Sequence, residues 1–185
     1  MDGKWEEKLG SVKDEYFHFE NMTFRKIQNG EIVLISGYFE KDEVEIPEGV
    51  VEIGTGAFMY SEIRKVKFPN SLKIIGSNAF FGCDKIESVD LPAVEIIKGS
   101  AFAICNNLKE VKLHEGLISI KSKVFVECEK LKKISLPSSV VEVGFDGFGS
   151  VSNVYLKKRE LPFGFFASIQ DYKKSGEMPQ ACLAG

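Results

Sequence analysis

The chain predicts a mainly β member of the α/β-solenoid class, in which short coils stack on one another, and three columns of residues carry that prediction. The pair Ala57-Phe58 returns as Ala79-Phe80, Ala101-Phe102, Val124-Phe125 and Gly147-Phe148, at steps of 22, 22, 23 and 23 residues. An apolar-polar-apolar triplet returns as Val44-Glu45-Ile46, Val66-Lys67-Phe68, Val89-Asp90-Leu91, Val111-Lys112-Leu113, Ile134-Ser135-Leu136 and Val154-Tyr155-Leu156. A third column sets Ile53, Ile75, Ile97, Ile120 and Val143 at matching places. Self-similarity at this period means that a single unit cannot bury its apolar side alone, so neighbours stack into a continuous core.

The first 43 residues lie outside the repeat and predict an N-terminal cap. Met1 to Lys13 is a polar segment expected to form a short helix anchored by Trp5 and Leu9. Tyr16-Phe17-His18-Phe19 and Thr23 to Ile27 lead to Gln28-Asn29-Gly30, after which Glu31 to Tyr38 alternates in polarity. Asn-Gly between two such runs signals a β-hairpin.

Residues 44–160 predict the solenoid itself, about five units of 22–23 residues. The period of two in the triplets is that of a short strand with one buried face, and its return once per coil predicts a parallel sheet running along the solenoid. Proline follows four of these strands, at Pro47, Pro69, Pro92 and Pro137, with His114 and Lys157 in the other coils. Proline has no N–H for the ladder, so the strand stops and the chain turns a corner. Beyond the corner, Gly54, Gly76 and Gly144 follow the third column and predict a turn with positive φ. Lys98 and Lys121 depart from that pattern, each able to keep its charge in water while its stem covers the turn. The five phenylalanines predict a core spine at the sheet spacing of about 4.8 Å rather than a ladder for stacking a ligand.

Cys83, Cys105 and Cys128 each lie three residues after a spine phenylalanine, with Ser61 and Val151 in the flanking coils. In-register side chains point in parallel, which suits a column of buried thiols better than the dihedral of a disulfide or the converging ligands of a zinc site. Past Leu161-Pro162 the pattern ends. Residues 161–185 predict a C-terminal cap, a short helix over Phe163 to Lys174 covering the last coil with Phe165, Phe166, Ile169 and Tyr172, followed by a tail. Cys182, fourth from the end, sits in a poor context for prenylation, with a final glycine and no basic run upstream.

The units resemble the BspA-type leucine-rich repeat. Its pattern is isoleucine-proline, a small-residue turn, valine-x-x-isoleucine-glycine, x-x-alanine-phenylalanine, x-x-cysteine and x-x-leucine. Here the pattern reads Leu91-Pro92 to Ala101-Phe102, then Cys105, Leu108 and Val111. The resemblance spans residue 44 to about residue 156. The first unit is one residue shorter between Ser61 and Val66 and the last is shortened around Val151, which shifts the ends of the surface. The resemblance implies a right-handed leucine-rich-repeat solenoid, and members of the family are often bacterial or protozoan surface proteins that bind other macromolecules.

Composition narrows the function. The 185 residues carry a net charge of −3 with both signs interspersed, so there is no basic patch for nucleic-acid binding. No apolar run approaches the roughly 18 residues of a membrane span. The N-terminus lacks the apolar stretch of a secretory signal, which predicts a cytoplasmic location, with the cell surface or secretion as the alternative if a leader was removed. His18 and His114 are the two histidines, and neither has a serine or cysteine at a spacing that suggests a nucleophile and its base. No catalytic, cofactor-binding or metal-binding residue is expected.

The outward positions of the triplet strands form two columns: Glu45, Lys67, Asp90, Lys112, Ser135 and Tyr155, beside Glu43, Lys65, Ser88, Glu110, Lys133 and Asn153. Alternating charge on adjacent strands reads first as a solvated ladder of ion pairs. As an interaction surface its contacts would be Lys65, Lys67, Lys112, Lys133 and Tyr155, the tyrosine being an amphipathic anchor. The expected function is a non-enzymatic, monomeric module that binds a protein or a glycan, adhesion included. A structural spacer without a ligand is the second reading and an enzyme the third.

Overall fold

A computed structural model describes residues 16–37, 42–149 and 151–156. It begins with three antiparallel strands, β1 (Tyr16–Phe19), β2 (Met22–Lys26) and β3 (Ile32–Gly37). Between β2 and β3, Gly30 N–H donates to the Ile27 carbonyl and Gly30 takes φ 87°. That is a three-residue hairpin loop, a turn closed by a residue in the left-handed region, which glycine enters without steric cost.

The coils follow as alternating strands: β4 (Glu43–Glu45), β5 (Val50–Ile53), β6 (Lys65–Lys67), β7 (Ile74–Ile75), β8 (Ser88–Leu91), β9 (Ile96–Ile97), β10 (Glu110–Leu113), β11 (Ser119–Ile120), β12 (Lys133–Leu136), β13 (Glu142–Val143) and β14 (Asn153–Leu156). The odd-numbered strands from β5 to β13 continue the hairpin as one eight-stranded sheet, ordered β1-β2-β3-β5-β7-β9-β11-β13 and parallel from β3 onward. The even-numbered strands, expected to make the long sheet, are instead bonded only in parallel pairs, β4 with β6, β8 with β10 and β12 with β14. No backbone hydrogen bond joins β6 to β8 or β10 to β12. The unbroken ladder therefore belongs to the isoleucine column.

Backbones approach closely along that ladder. Gly54, Gly76 and Gly144 do not have positive φ. A Cβ at Gly76 would stand 2.5 Å from the Ile53 carbonyl oxygen and 2.7 Å from the Gly54 carbonyl carbon, so glycine is there for proximity. The left-handed conformation falls instead just before each spine pair, at Gly56, Asn78, Ser100, Lys123 and Asp146, with φ between 51° and 66°. Lys98 and Lys121, which replace the glycine in two coils, do more than keep their charge in water: each ammonium lies on a carboxylate, at 2.8 Å from Glu52 and 2.6 Å from Glu142. Gly76→Ala is expected to destabilise the fold by roughly 1–3 kcal/mol, because the clash is with backbone; urea unfolding beside Ser135→Ala, at an exposed strand position, checks it.

Between the two faces, the rings of Phe58, Phe80, Phe102 and Phe125 stack at centroid distances of 5.1, 5.1 and 5.8 Å with interplanar angles of 13°, 2° and 9°. All four are buried, as is Phe148. The isoleucine column and the apolar residues of the even-numbered strands close over them from either side. Corners are tight turns: Val50, Leu72, Leu117 and Val140 N–H donate to the carbonyls of Pro47, Pro69, His114 and Pro137, so His114 stands in for proline without changing the turn.

Beside the rings run the thiols of Cys83, Cys105 and Cys128, buried and unbridged. Each S–H donates to the carbonyl of the spine phenylalanine in the preceding coil, Phe58, Phe80 and Phe102, at 3.0, 3.2 and 3.0 Å. Burial pushes the Cys83 and Cys128 thiols up to about 12 and that of Cys105 higher still. The helices expected at Met1 to Lys13 and Phe163 to Lys174, and Cys182, lie outside the described residues.

Candidate interaction surface

The five candidate contacts share one face, the outward side of the even-numbered strands, because alternation along each strand sends its neighbours Val66, Val111 and Ile134 inward. They do not share one electrostatic situation. In the first pair of strands every cation has a carboxylate exactly one coil earlier: Lys65 lies 3.1 Å from Glu43, Lys67 2.6 Å from Glu45 and Arg64 3.1 Å from Asp42. The hydrogen bond from Lys67 to Glu45 and the attraction between them raise the lysine's pKa above its ordinary value. These are exposed pairs, which add little to stability and leave little charge over for a partner.

Further along, the match fails. Lys112 faces Asp90 in the ladder, but Asp90 is held by His114 Nε2 at 2.6 Å, and Lys112 is left with Glu110 at 4.0 Å. Lys133 occupies the position equivalent to Glu110 one coil on, yet β10 and β12 are not bonded to each other and Lys133 makes no ion pair among the described residues. Beside it stand the neutral Ser135, Asn153 and Tyr155, the tyrosine 43% exposed. The gap between β10 and β12 opens into a groove of about 660 Å³ whose outward side chains include Lys109, Glu110, Lys112, His114, Lys133 and Tyr155.

The structure thus separates the candidates, bringing Lys112, Lys133 and Tyr155 to one groove and leaving Lys65 and Lys67 outside it, neutralised. Lys109 and His114 are lining residues that the column reading did not single out. Their place at the strand's ends, one before and one after the alternating triplet, was the available signal.

Corners carry a second kind of inter-coil contact. Glu48 accepts from the N–H groups of Asn70 and Ser71, and Glu115 from those of Ser138 and Ser139. The Ser138 hydroxyl also donates to Glu115, and these bonds together hold the Glu115 carboxyl below its usual range. On the opposite face Glu142 accepts from Lys121 and from the buried Ser119 hydroxyl, which lowers its pKa in the same way. These carboxylates are occupied in joining coils. His18 contacts Thr23 in the first hairpin, far along the chain from the groove. Among the described residues no group of three His, Cys, Asp or Glu side chains could hold a metal ion, and no helix is long and apolar enough to cross a membrane.

Comparison with known proteins adds the lineage. Among solved structures the chain is similar to the T. pallidum leucine rich repeat protein TpLRR, at 22% identity and a TM-score of 0.71, over 87% of this chain and 97% of that one. It is similar to a leucine-rich repeat protein from Bacteroides ovatus, at 26% identity and a TM-score of 0.61, over 75% of this chain and 40% of that one. The pneumococcal vaccine antigen PcpA shares 17% identity with a TM-score of 0.62, over 81% of this chain and 50% of that one. No curated protein matches the chain. Residues 36–155 match the BspA type leucine rich repeat region in six copies, consistent with the six triplet strands, and the chain belongs to that family.

Proposed function

We propose that the protein is a non-enzymatic binding module whose groove between β10 and β12 receives a protein partner. The observation that carries this reading is the change in charge matching along one face: lysines paired coil to coil at β4 and β6, and at β12 a Lys133 with no ion pair among the described residues, beside an exposed Tyr155 at β14. The groove is broad and open, a form that suits a macromolecular segment better than a small substrate, which prefers an enclosed cavity.

The test is a titration of a partner captured on the immobilised protein and then purified. Tyr155→Ala and the pair Lys112→Glu with Lys133→Glu are each expected to weaken binding by about tenfold or more, the scale of an interface anchor. Their thermal melting points should stay near that of the parent, since these side chains are exposed. Binding that survives both sets of changes would remove the groove from the reading. The spacer function, favoured by the ion-paired end of the face, would be preferred if no partner is captured at all.

A further inference from the structure

The structure assigns a chemistry to the partner: we infer that the groove takes an extended, acidic segment of a protein, with carboxylates set against Lys112 and Lys133. This rests on the binding-module reading and names the ligand class for it. Three observations bear on it. First, the groove is lined by Lys109, Lys112 and Lys133 and by one carboxylate, Glu110, so it is cationic in a chain whose net charge is −3. Local charge opposite in sign to the whole steers an anionic ligand to that place and away from the rest of the surface.

Second, two of those cations are poorly satisfied. Glu87 holds Lys109 at 2.7 Å, and this neighbour lowers the glutamate's pKa. Lys112 has only Glu110 at 4.0 Å, and Lys133 has no ion pair among the described residues. The cause is specific to this place in the fold: His114, standing where other coils have proline, takes the Asp90 carboxylate, and the missing ladder between β10 and β12 separates Lys133 from the Glu110 column. An incoming carboxylate restores the alternation of sign that the first two strands complete internally.

Third, the facing edges of β10 and β12 exchange no backbone hydrogen bonds, and Tyr155 stands exposed at the far side. A tyrosine ring offers a peptide contact area at low entropic cost. A sulfated glycan matches the charge as well, and it is the exposed tyrosine, an anchor enriched at protein interfaces, that favours a polypeptide.

Fluorescence anisotropy with a labelled poly-glutamate peptide, a poly-lysine peptide and heparin decides the matter. The acidic peptide is expected to bind, to weaken as salt rises from about 0.05 to about 0.5 M because the contacts are exposed, and to lose about tenfold or more with Lys112→Glu and Lys133→Glu together. Lys65→Glu with Lys67→Glu, on the same face but outside the groove, is expected to change the affinity by less than about twofold. Failure of the acidic peptide to bind at millimolar concentration, equal loss with both lysine pairs, or binding of heparin alone would overturn the inference. A captured partner still sensitive to Tyr155→Ala in that event would leave the binding-module reading standing with a different ligand chemistry.

Discussion

Phe102→Ala should lower the stability of the protein by about 3–5 kcal/mol. The ring is fully buried and lies between two others, 5.1 Å from Phe80 at 2° and 5.8 Å from Phe125 at 9°. Removing it leaves a cavity that the neighbours cannot fill, because the spacing of the coils is fixed on one side by the ladder of β7, β9 and β11 and at the ring itself by the bonds from Phe80 N–H to the Ala101 carbonyl and from Phe102 N–H to the Val124 carbonyl. Domains of this size are stable by only about 5–15 kcal/mol, so one ring is a large share of the whole. In a repeat protein the loss also weakens two interfaces at once, since stability is a sum over neighbouring units. Urea unfolding should show a lower midpoint, and Phe145→Ala, at an exposed ring, should leave it within the range of an ordinary surface change. Equal effects from the two variants would mean that the aromatic column is not the core.

The second large effect is an alkaline loss of stability set by the thiols. Cys83 and Cys128 titrate at about 12 in the fold and Cys105 above that, chiefly because burial disfavours the thiolate. An exposed thiol titrates near 8.5. The folded values are raised, so the contribution to stability is whole below about pH 8.5 and is lost as the pH climbs toward the folded values. Each thiol then costs about 1.4 kcal/mol per pH unit, and three together roughly 4. Unfolding midpoints measured from pH 8 to pH 11 should fall steeply, and the slope should flatten when all three are changed to alanine, whatever the variant's starting stability. In a Cys182→Ala background the three thiols should also stay unreactive toward a disulfide-exchange reagent at pH 8 until denaturant is added. Prompt reaction would contradict the buried column.

Much of this architecture could be read from the residues. The phenylalanine steps, the hairpin around Gln28-Asn29-Gly30 and the thiol column depend on side-chain patterns that repeat in register, and a pattern is what a sequence displays. The placement of the continuous sheet was not legible. Triplets such as Val111-Lys112-Leu113 alternate strongly and resemble strands, whereas β7, β9 and β11 are only two residues long. A ladder, however, depends on how closely backbones approach, and that distance is the same where glycine stands, at Gly54, Gly76 and Gly144, and where Lys98 and Lys121 replace it. The same glycines misled on dihedral angles, since a glycine serves equally for proximity and for positive φ. Asn78 and Asp146 were better signals for the left-handed positions, being among the few types that tolerate them. At the surface, periodicity placed Lys65, Lys67, Lys112, Lys133 and Tyr155 on one face. Which of them keep their charge free depends on His114 taking Asp90 and on the missing bonds between β10 and β12; the histidine stands in the sequence, and no residue type announces the missing bonds.

A rod stitched continuously along one side and only in pairs along the other is mechanically unequal about its axis. It flexes most easily about the stitched side as a hinge, with the seams beside β8 and β12 opening or narrowing while the long ladder stays intact. Curvature and groove width are then a single coordinate: whatever bends the rod changes its grip, and whatever is gripped sets the arc.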